Sequence, residues 1–321
     1  QIIFQDRFKY FWFITNNTCM WKYEINKHEI NDLPFNIRND LILYADDTTS
    51  LVKYNREQDI KLEIVDSLID LEQWFTCNGL VLNSDKTQIV KFQTVQSKAM
   101  SNFKIDFRNT VIDTVNTTKF LGLVIDKNLS WRPYIDLLNK KLSSACYQMY
   151  TLRELVDVKT RLIVYYACFY SRAQYGIQLW GSCSDILSVF KIQKRYIRTM
   201  LFLNKRDSCK DIFRELQILT IPSLYIYNCL NFIHDRLNLQ HIAHHNHQYS
   251  TRFKDRLQFP IHKLTLFESS PNYMGKKFYN NLPLHFKQLT MSNFKKTVGG
   301  LLVSKAYYNV SDFLQDNLQH L

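Results

Sequence analysis

The 321-residue chain holds seven glycines, where average usage would give about 22. Neither GxxxxGKS/T nor GxGxxG occurs, which excludes the two common glycine-rich phosphate loops. The seven cysteines, Cys19, Cys77, Cys146, Cys168, Cys183, Cys209 and Cys229, form no CxxC pair. That argues against zinc-knuckle and dithiol motifs. Odd in number and set in apolar or helical stretches, they are expected to be reduced and mostly buried. Long hydrophobic runs are missing too. The longest, Leu162 to Tyr170, has nine residues, about half of a membrane span. The apolar patch from Phe8 to Ile14 is interrupted by Lys9 and lacks a small-residue cleavage site, so it does not read as a signal peptide. The expectation is a soluble, intracellular chain, cytoplasmic or nuclear and without a membrane partner. Because it opens on Gln1, it reads as a fragment, a processed product or a conceptual translation.

Acids are in short supply as well, 29 against 41 lysines and arginines. The net charge of +12 and pI near 9.2 suit a polyanionic partner, nucleic acid before membrane surface. Charge alone fits a merely basic protein equally well.

What is present is a readable pattern from Asn31 onward. Leu41–Tyr44 and Thr48–Lys53 read as short strands around Ala45-Asp46-Asp47. Asn55 with Gln58 has the form of a capping box. Ile60, Ile64, Leu68, Leu71 and Phe75 then recur at helical spacing, and Asn78-Gly79 ends that helix. Further strands are expected at 80–82, 88–92, 103–107, 111–115 and 120–125. From Ser130 the character becomes helical. Pro133 suits a first turn, and Ile135, Leu138, Leu142, Ala145 and Met149 make a stripe. More helices are expected over 157–175, 184–201, 211–237 and 293–308, with a looser stretch over 238–295.

The question of chemistry centres on LILYADDTTSLV, residues 41–52. Adjacent carboxylates raise the cost of each other's ionisation. A turn between two strands presents both to one point, where hard divalent cations take oxygen ligands together with substrate phosphates. Two such ions can serve phosphoryl transfer. A bare surface turn explains the pair equally simply, so the neighbours must decide.

In order come INDLP (30–34), LILYADDTTSLV, a long helix, CNGLVLNSDKT (77–87) and KFLGLVID (119–126). Later come LSW (129–131), YGIQLWG (175–181), IQKRYIR (192–198), LTIPSLY (219–225), HQYSTR (247–252), YMGKKFYNNLP (273–283) and SNFKKTV (292–298). This series resembles the reverse transcriptases of non-LTR retrotransposons of the LINE or jockey type, carboxyl-terminal part, from residue 30 to about 314. The resemblance implies an α+β fold: part of a polymerase palm, with the YADD hairpin on a small antiparallel sheet, followed by a mostly helical thumb and carboxyl-terminal region. The implied division is an unassigned 1–29, palm over 30–128, thumb over 129–237 and a loop-rich, helical 238–321. It implies RNA-directed DNA polymerisation, with an RNA template, a DNA primer and deoxynucleotides as partners and Mg²⁺ or Mn²⁺ as cofactor. Asp46 and Asp47 would hold the metal, Lys86 would assist proton transfer, and Phe120, Leu121 and Gly122 would grip the primer.

The family also places a metal-binding aspartate on an earlier palm strand, then a helix and a QG-type motif. Only 43 residues precede Tyr44, and QG does not occur. Asp6 imitates the missing strand, but its spacing leaves no room for the intervening parts. The fingers and an amino-terminal endonuclease likewise have no counterpart. The expectation is a catalytically deficient piece of such an enzyme. The alternative is a non-catalytic, basic nucleic-acid-binding remnant or a domesticated interaction module.

Lys191, Lys194, Arg195 and Arg198 share one side of a predicted helix and could track a phosphate backbone; a plain solvated face is the competing account. Tyr165, Tyr166, Phe169, Tyr170 and Tyr175 could stack on bases, but at this spacing core is the better reading, as it is for Trp180. His241, His244, His245 and His247 have zinc-like spacing, yet sit in a stretch that reads as a polar loop.

Overall fold

The computed structural model describes residues 9–15, 32–44, 47–54, 59–96, 103–239 and 256–318. All the described strands lie before residue 127 and the chain beyond is helical, a mixture compatible with the α+β expectation. It divides into two compact units, one ending at Tyr134 and the other running from Ile135 to Leu321.

The first unit contains β1 (Lys9–Thr15), α1 (Leu33–Asn36), β2 (Asp40–Tyr44), β3 (Asp47–Tyr54) and α2 (Ile60–Cys77). After a 3₁₀ turn at Ser84–Lys86 come β4 (Thr87–Lys91), β5 (Lys104–Phe107), β6 (Thr110–Val115), β7 (Thr117–Phe120) and β8 (Leu123–Asp126). Six strands form one sheet in the order β2-β3-β1-β4-β6-β5, and β7 and β8 form a separate hairpin. All pairings are antiparallel except β4 with β6.

Helix α2 lies along one face of this sheet. Its stripe Ile60, Ile64 and Leu68 packs against Val52, Ile89, Ile105, Phe107 and Ile112, all buried. Leu71, Trp74 and Phe75 join Leu33, Ile37 and Leu80 at its far end. Two bonds close the helix: Leu80 N–H to Phe75 O at 2.7 Å and Gly79 N–H to Thr76 O at 3.1 Å. This is a Schellman closure, and it needs Gly79 at φ +70°.

Several expectations change here. The segment 1–29, left unassigned from the sequence, supplies β1, which sits inside the sheet between β3 and β4. Residues 120–125 are not one strand: Leu121 (φ +45°) and Gly122 (φ +81°) fold the chain back into the β7–β8 hairpin. Residues 80–82 are irregular, leading to the 3₁₀ turn that Asn83 caps. Helix α2 begins at Ile60, and the capping-box pair Asn55 and Gln58 lies outside the described residues.

The second unit is helical. Helix α3 (Arg132–Leu152), which begins just before the division, buries Ile135, Leu138, Leu142, Ala145 and Met149. Asp157 caps the next helix through Thr160 N–H. That helix runs as α4 (Val158–Val164), a π segment (Tyr165–Tyr170) and α5 (Ser171–Gln174). Then follow α6 (Ile177–Trp180), α7 (Ile186–Met200), α8 (Lys210–Glu215) and α9 (Ile221–Leu239). A 3₁₀ turn (Thr265–Ser269) leads to α10 (Pro271–Asn281), α11 (Leu284–Lys287), α12 (Met291–Lys305) and α13 (Val310–Gln315). The stretch expected to be loose therefore holds two complete helices and the start of a third. Ser270 caps Tyr273 N–H and Pro271 opens α10, a start signal overlooked among the polar residues.

Helix α9 is the hub. Ile221, Leu224, Tyr225, Ile226, Cys229, Leu230 and Ile233 are all fully buried, so it is enclosed on every side. Glycines permit the closest approaches: a Cβ on Gly181 would lie 2.3 Å from the Tyr225 ring, and one on Gly275 would lie 2.5 Å from Ile233.

Candidate functional site

Strand register determines what meets at the end of the sheet. Thr15 of β1 pairs with Thr48 of β3 on one side and Thr87 of β4 on the other. Asp47 immediately precedes Thr48, and Lys86 immediately precedes Thr87. Both therefore lie at the same end of the sheet with one strand between them, a backbone separation of about 10 Å from two strand spacings. Asp47 opens β3 opposite Tyr44, so two residues, Ala45 and Asp46, connect the strands. Asp46 lies outside the described residues. Asp47 is half-buried and Lys86 exposed.

Side-chain alternation assigns the faces. Ser50 bonds Ser67 of α2 at 3.2 Å, so Thr48, Ser50 and Val52 face the helix. Asp47 then points to the opposite face. On β4, Ile89 packs in the α2 core and Gln88 faces away from it. The Thr118 hydroxyl donates to Gln88 Oε1 at 2.7 Å. That bond ties the β7–β8 hairpin to the Asp47 side of the sheet, two residues from Lys86. The tip of the hairpin carries Phe120 and Leu121, both half-buried, and exposed Gly122. A two-residue loop with both φ positive is the hairpin geometry that suits the strand twist, and glycine or asparagine usually fills it. Leu121 there is strained. Gln88 was not singled out from the sequence. Nothing in its local pattern marks it, because its role depends on a partner 30 residues away.

Asp126, the acid that closes KFLGLVID, is not a free ligand. Its buried carboxylate accepts backbone N–H bonds from Asn128 (3.3 Å), Ser130 (3.1 Å) and Trp131 (2.9 Å), fixing the chain beyond β8. Among the described residues no three His, Cys, Asp or Glu side chains form a metal cluster. Asp6 and the histidines 241, 244, 245 and 247 lie outside the described residues. Lys9, the first described residue, pairs with Tyr54. That is the end of β3 remote from Asp47, about 23 Å away along the strand.

On α7 the four basic residues divide. Lys191 is exposed. Arg195 is exposed as well and reaches Ser143 Oγ at 2.9 Å. Lys194 lies over the rings of Phe190 (4.7 Å) and Tyr308 (5.2 Å). Arg198 points its fork at the Asp207 carbonyl, with Nε at 3.0 Å and Nη2 at 2.9 Å. It anchors the loop after α7, a role that helical periodicity cannot reveal.

The aromatic residues divide similarly. Tyr165, Phe169 and Trp180 are fully buried, as expected of core, whereas Tyr166 and Tyr175 are exposed. Burial pushes the Tyr165 hydroxyl well above the usual tyrosine range, so it stays protonated. Gln193 links it to α9: Gln193 Nε2 donates to Tyr165 Oη and to Leu219 O, and Gln193 Oε1 accepts from Ile221 N–H, each at 2.9 Å. Of the described cysteines, all free, Cys146, Cys209 and Cys229 are buried, Cys168 and Cys183 are half-buried and Cys77 is exposed. No helix among the described residues is long and apolar enough to cross a membrane.

No family model matches the chain, and no solved structure matches it. Two curated Drosophila melanogaster proteins do. One is described as "Probable RNA-directed DNA polymerase from transposon BS" and is 25% identical over 225 residues, 68% of this chain and 22% of that protein. The other, "Probable RNA-directed DNA polymerase from transposon X-element", is 22% identical over 186 residues, 56% of this chain and 20% of that protein. The matched region spans about a fifth of the length of these relatives. These matches agree with the ordered motifs that resemble non-LTR retrotransposon reverse transcriptases: the chain is similar to proteins described as RNA-directed DNA polymerases of transposons.

Proposed function

We propose that the chain is the part of a retrotransposon reverse transcriptase that carries the YADD hairpin, a portion of the palm followed by a helical thumb. What supports this reading is the strand register, which brings Asp47 and Lys86 to one end of the sheet. In this reading Asp46 and Asp47 hold Mg²⁺ or Mn²⁺. The donor set fits such hard cations, because carboxylate oxygens and phosphates are their preferred ligands. When bound, the metal supplies charge stabilisation and orientation for nucleotidyl transfer. Lys86 faces the phosphates of an incoming deoxynucleotide across the gap and hands a proton to the departing pyrophosphate. The Phe120–Gly122 turn holds the primer strand, and Lys191 and Arg195 meet the backbone of the template–primer duplex.

The metal site needs more than the YADD pair. Two divalent ions bring a charge of +4, and two adjacent aspartates neutralise only half of it. Asp126 is engaged elsewhere, its carboxylate taken by backbone N–H groups. The 321-residue chain by itself is therefore expected to bind metal weakly and to extend a primer feebly or not at all.

The test pairs two measurements on the chain and on its Asp46→Asn/Asp47→Asn double variant. Mn²⁺ binding should be weak in the chain and lost in the variant. Primer extension on an RNA template with Mg²⁺ should be close to background in both. Equal Mn²⁺ binding by the two proteins would remove the metal-site reading. Efficient extension by the chain and none by the variant would keep the polymerase reading and overturn the deficiency. A basic, non-catalytic role is favoured by the solvent-facing Lys191 and Arg195, and a steep fall of nucleic-acid affinity with salt would support it.

A further inference from the structure

The helical unit carries a second surface feature, separate from the basic side of α7. Helix α7 closes with a Schellman bond, Leu203 N–H to Arg198 O at 2.9 Å. The residue that must turn left-handed there is Phe202, at φ +57°. Glycine normally fills that position, and a bulky L-residue in it is strained. Phe202 is nevertheless 49% exposed, so core packing does not account for it.

Its surroundings form an alternating series of rings and guanidinium groups. Arg153 lies 4.5 Å from the Tyr150 ring centroid and 4.6 Å from that of Phe202. Arg161 lies 5.0 Å from the Phe202 ring. Tyr150 is 56% exposed. The arginines already cap α7 by hydrogen bonds, Arg153 Nη1 to Thr199 O at 3.3 Å and Arg161 Nη1 to Met200 O at 2.8 Å. The helix end therefore does not need the aromatic ring. Among the described residues, Nη2 of each arginine has no hydrogen-bond partner.

The loop that follows is held in place. Arg198 grips the Asp207 carbonyl, and the Asp207 carboxylate accepts the Asn204 N–H at 2.8 Å. Lys205 and Arg206 on that loop are exposed. Of the acids nearby in sequence, Asp157 caps α4, Asp207 holds the loop and Asp211 pairs with Arg214, which leaves Glu154.

We propose that Tyr150, Arg153, Phe202 and Arg161 form a stacking ladder that binds the bases of a single-stranded nucleic acid. Exposed rings interleaved with cations, beside a fixed basic loop, match the chemistry of an unpaired strand: flat bases to stack and phosphates to neutralise. A duplex keeps its bases stacked inside and cannot use the ladder. The site does not depend on the polymerase reading, since it requires neither metal nor nucleotide.

The test is fluorescence anisotropy on the full 321-residue chain with labelled 20-mers, oligo(dT) and oligo(U) as single strands and one mixed-sequence duplex. No metal is present, so a failure of primer extension leaves the result untouched. Tyr150→Ala replaces an exposed ring with a strong helix former. Phe202→Gly relieves the left-handed strain, so its Tm should match or exceed that of the native chain. Each is expected to weaken single-strand binding about tenfold, the usual effect of losing one stacking partner. Duplex binding and the salt dependence should stay unchanged, and Tyr150→Phe should bind as the native chain does. Unchanged single-strand affinity in both Tyr150→Ala and Phe202→Gly overturns the proposal. So does an equal loss toward duplex, which would make the effect one of charge, or displacement of oligo(dT) by a poly-glutamate peptide at equal charge concentration.

Discussion

The sheet unit and the helical unit place their candidate functional residues by different means. In the sheet unit, Asp47 and Lys86 are 39 positions apart and meet because three strands share a register. Backbone pairing does the positioning, and the side chains sit at strand ends where core packing does not constrain them. In the helical unit the basic residues lie within one helix, so the sequence itself brings them together. Tertiary neighbours then decide what each one does: Arg198 and Lys194 turn inward onto a carbonyl and two rings, while Lys191 and Arg195 remain outside. Where a motif at strand ends lies in the fold can therefore be read from sequence. What each residue of a charged stripe on a helix does cannot.

The two units should also respond oppositely to changes in volume. α2 covers one face of the sheet through a row of large side chains, and Leu68 is fully buried in that row. Leu68→Ala is expected to destabilise the chain by about 2–5 kcal/mol, measured by denaturant unfolding, through lost burial and the cavity left behind. A cost under about 1 kcal/mol would mean that α2 does not hold the sheet. The helical unit is sensitive to added volume, because α6 comes up to α9 at Gly181. Gly181→Ala pushes a methyl into the Tyr225 ring and is expected to cost about 1–3 kcal/mol. Unchanged stability there would show that the Tyr225 ring can give way to a methyl group at Gly181.

What could be read from the sequence follows the same division. The stripes of α2 and α3 were legible because burial on one side imposes a period of 3.6 on apolar residues. All five stripe positions in each helix are buried. The YADD hairpin was legible because its chemistry is local. β1 was not, because its middle, YFWFI, is an unbroken apolar and aromatic run and the strand pairs with strands more than 30 residues away. Helix α10 was missed because its cap and proline lie among polar residues that resemble a loop. The Phe202 ladder was missed because no local rule predicts a phenylalanine where helix closure calls for glycine.

The smallest expected effect separates strain from function at the β7–β8 turn. Leu121 adopts φ +45° in a loop position that glycine fills more readily. Relief of the left-handed conformation, about 1–2 kcal/mol, exceeds the chain-entropy cost of a glycine, about 0.5–1 kcal/mol. Leu121→Gly should therefore stabilise the chain by about 0.5–1 kcal/mol, read as a rise in the denaturant midpoint. If the leucine is there to touch a primer, the same variant binds a primer–template duplex less tightly while unfolding later. If binding is unchanged, the strain at Leu121 serves no contact with nucleic acid, and the sheet unit is left with the end that carries Asp47 and Lys86 as its candidate site.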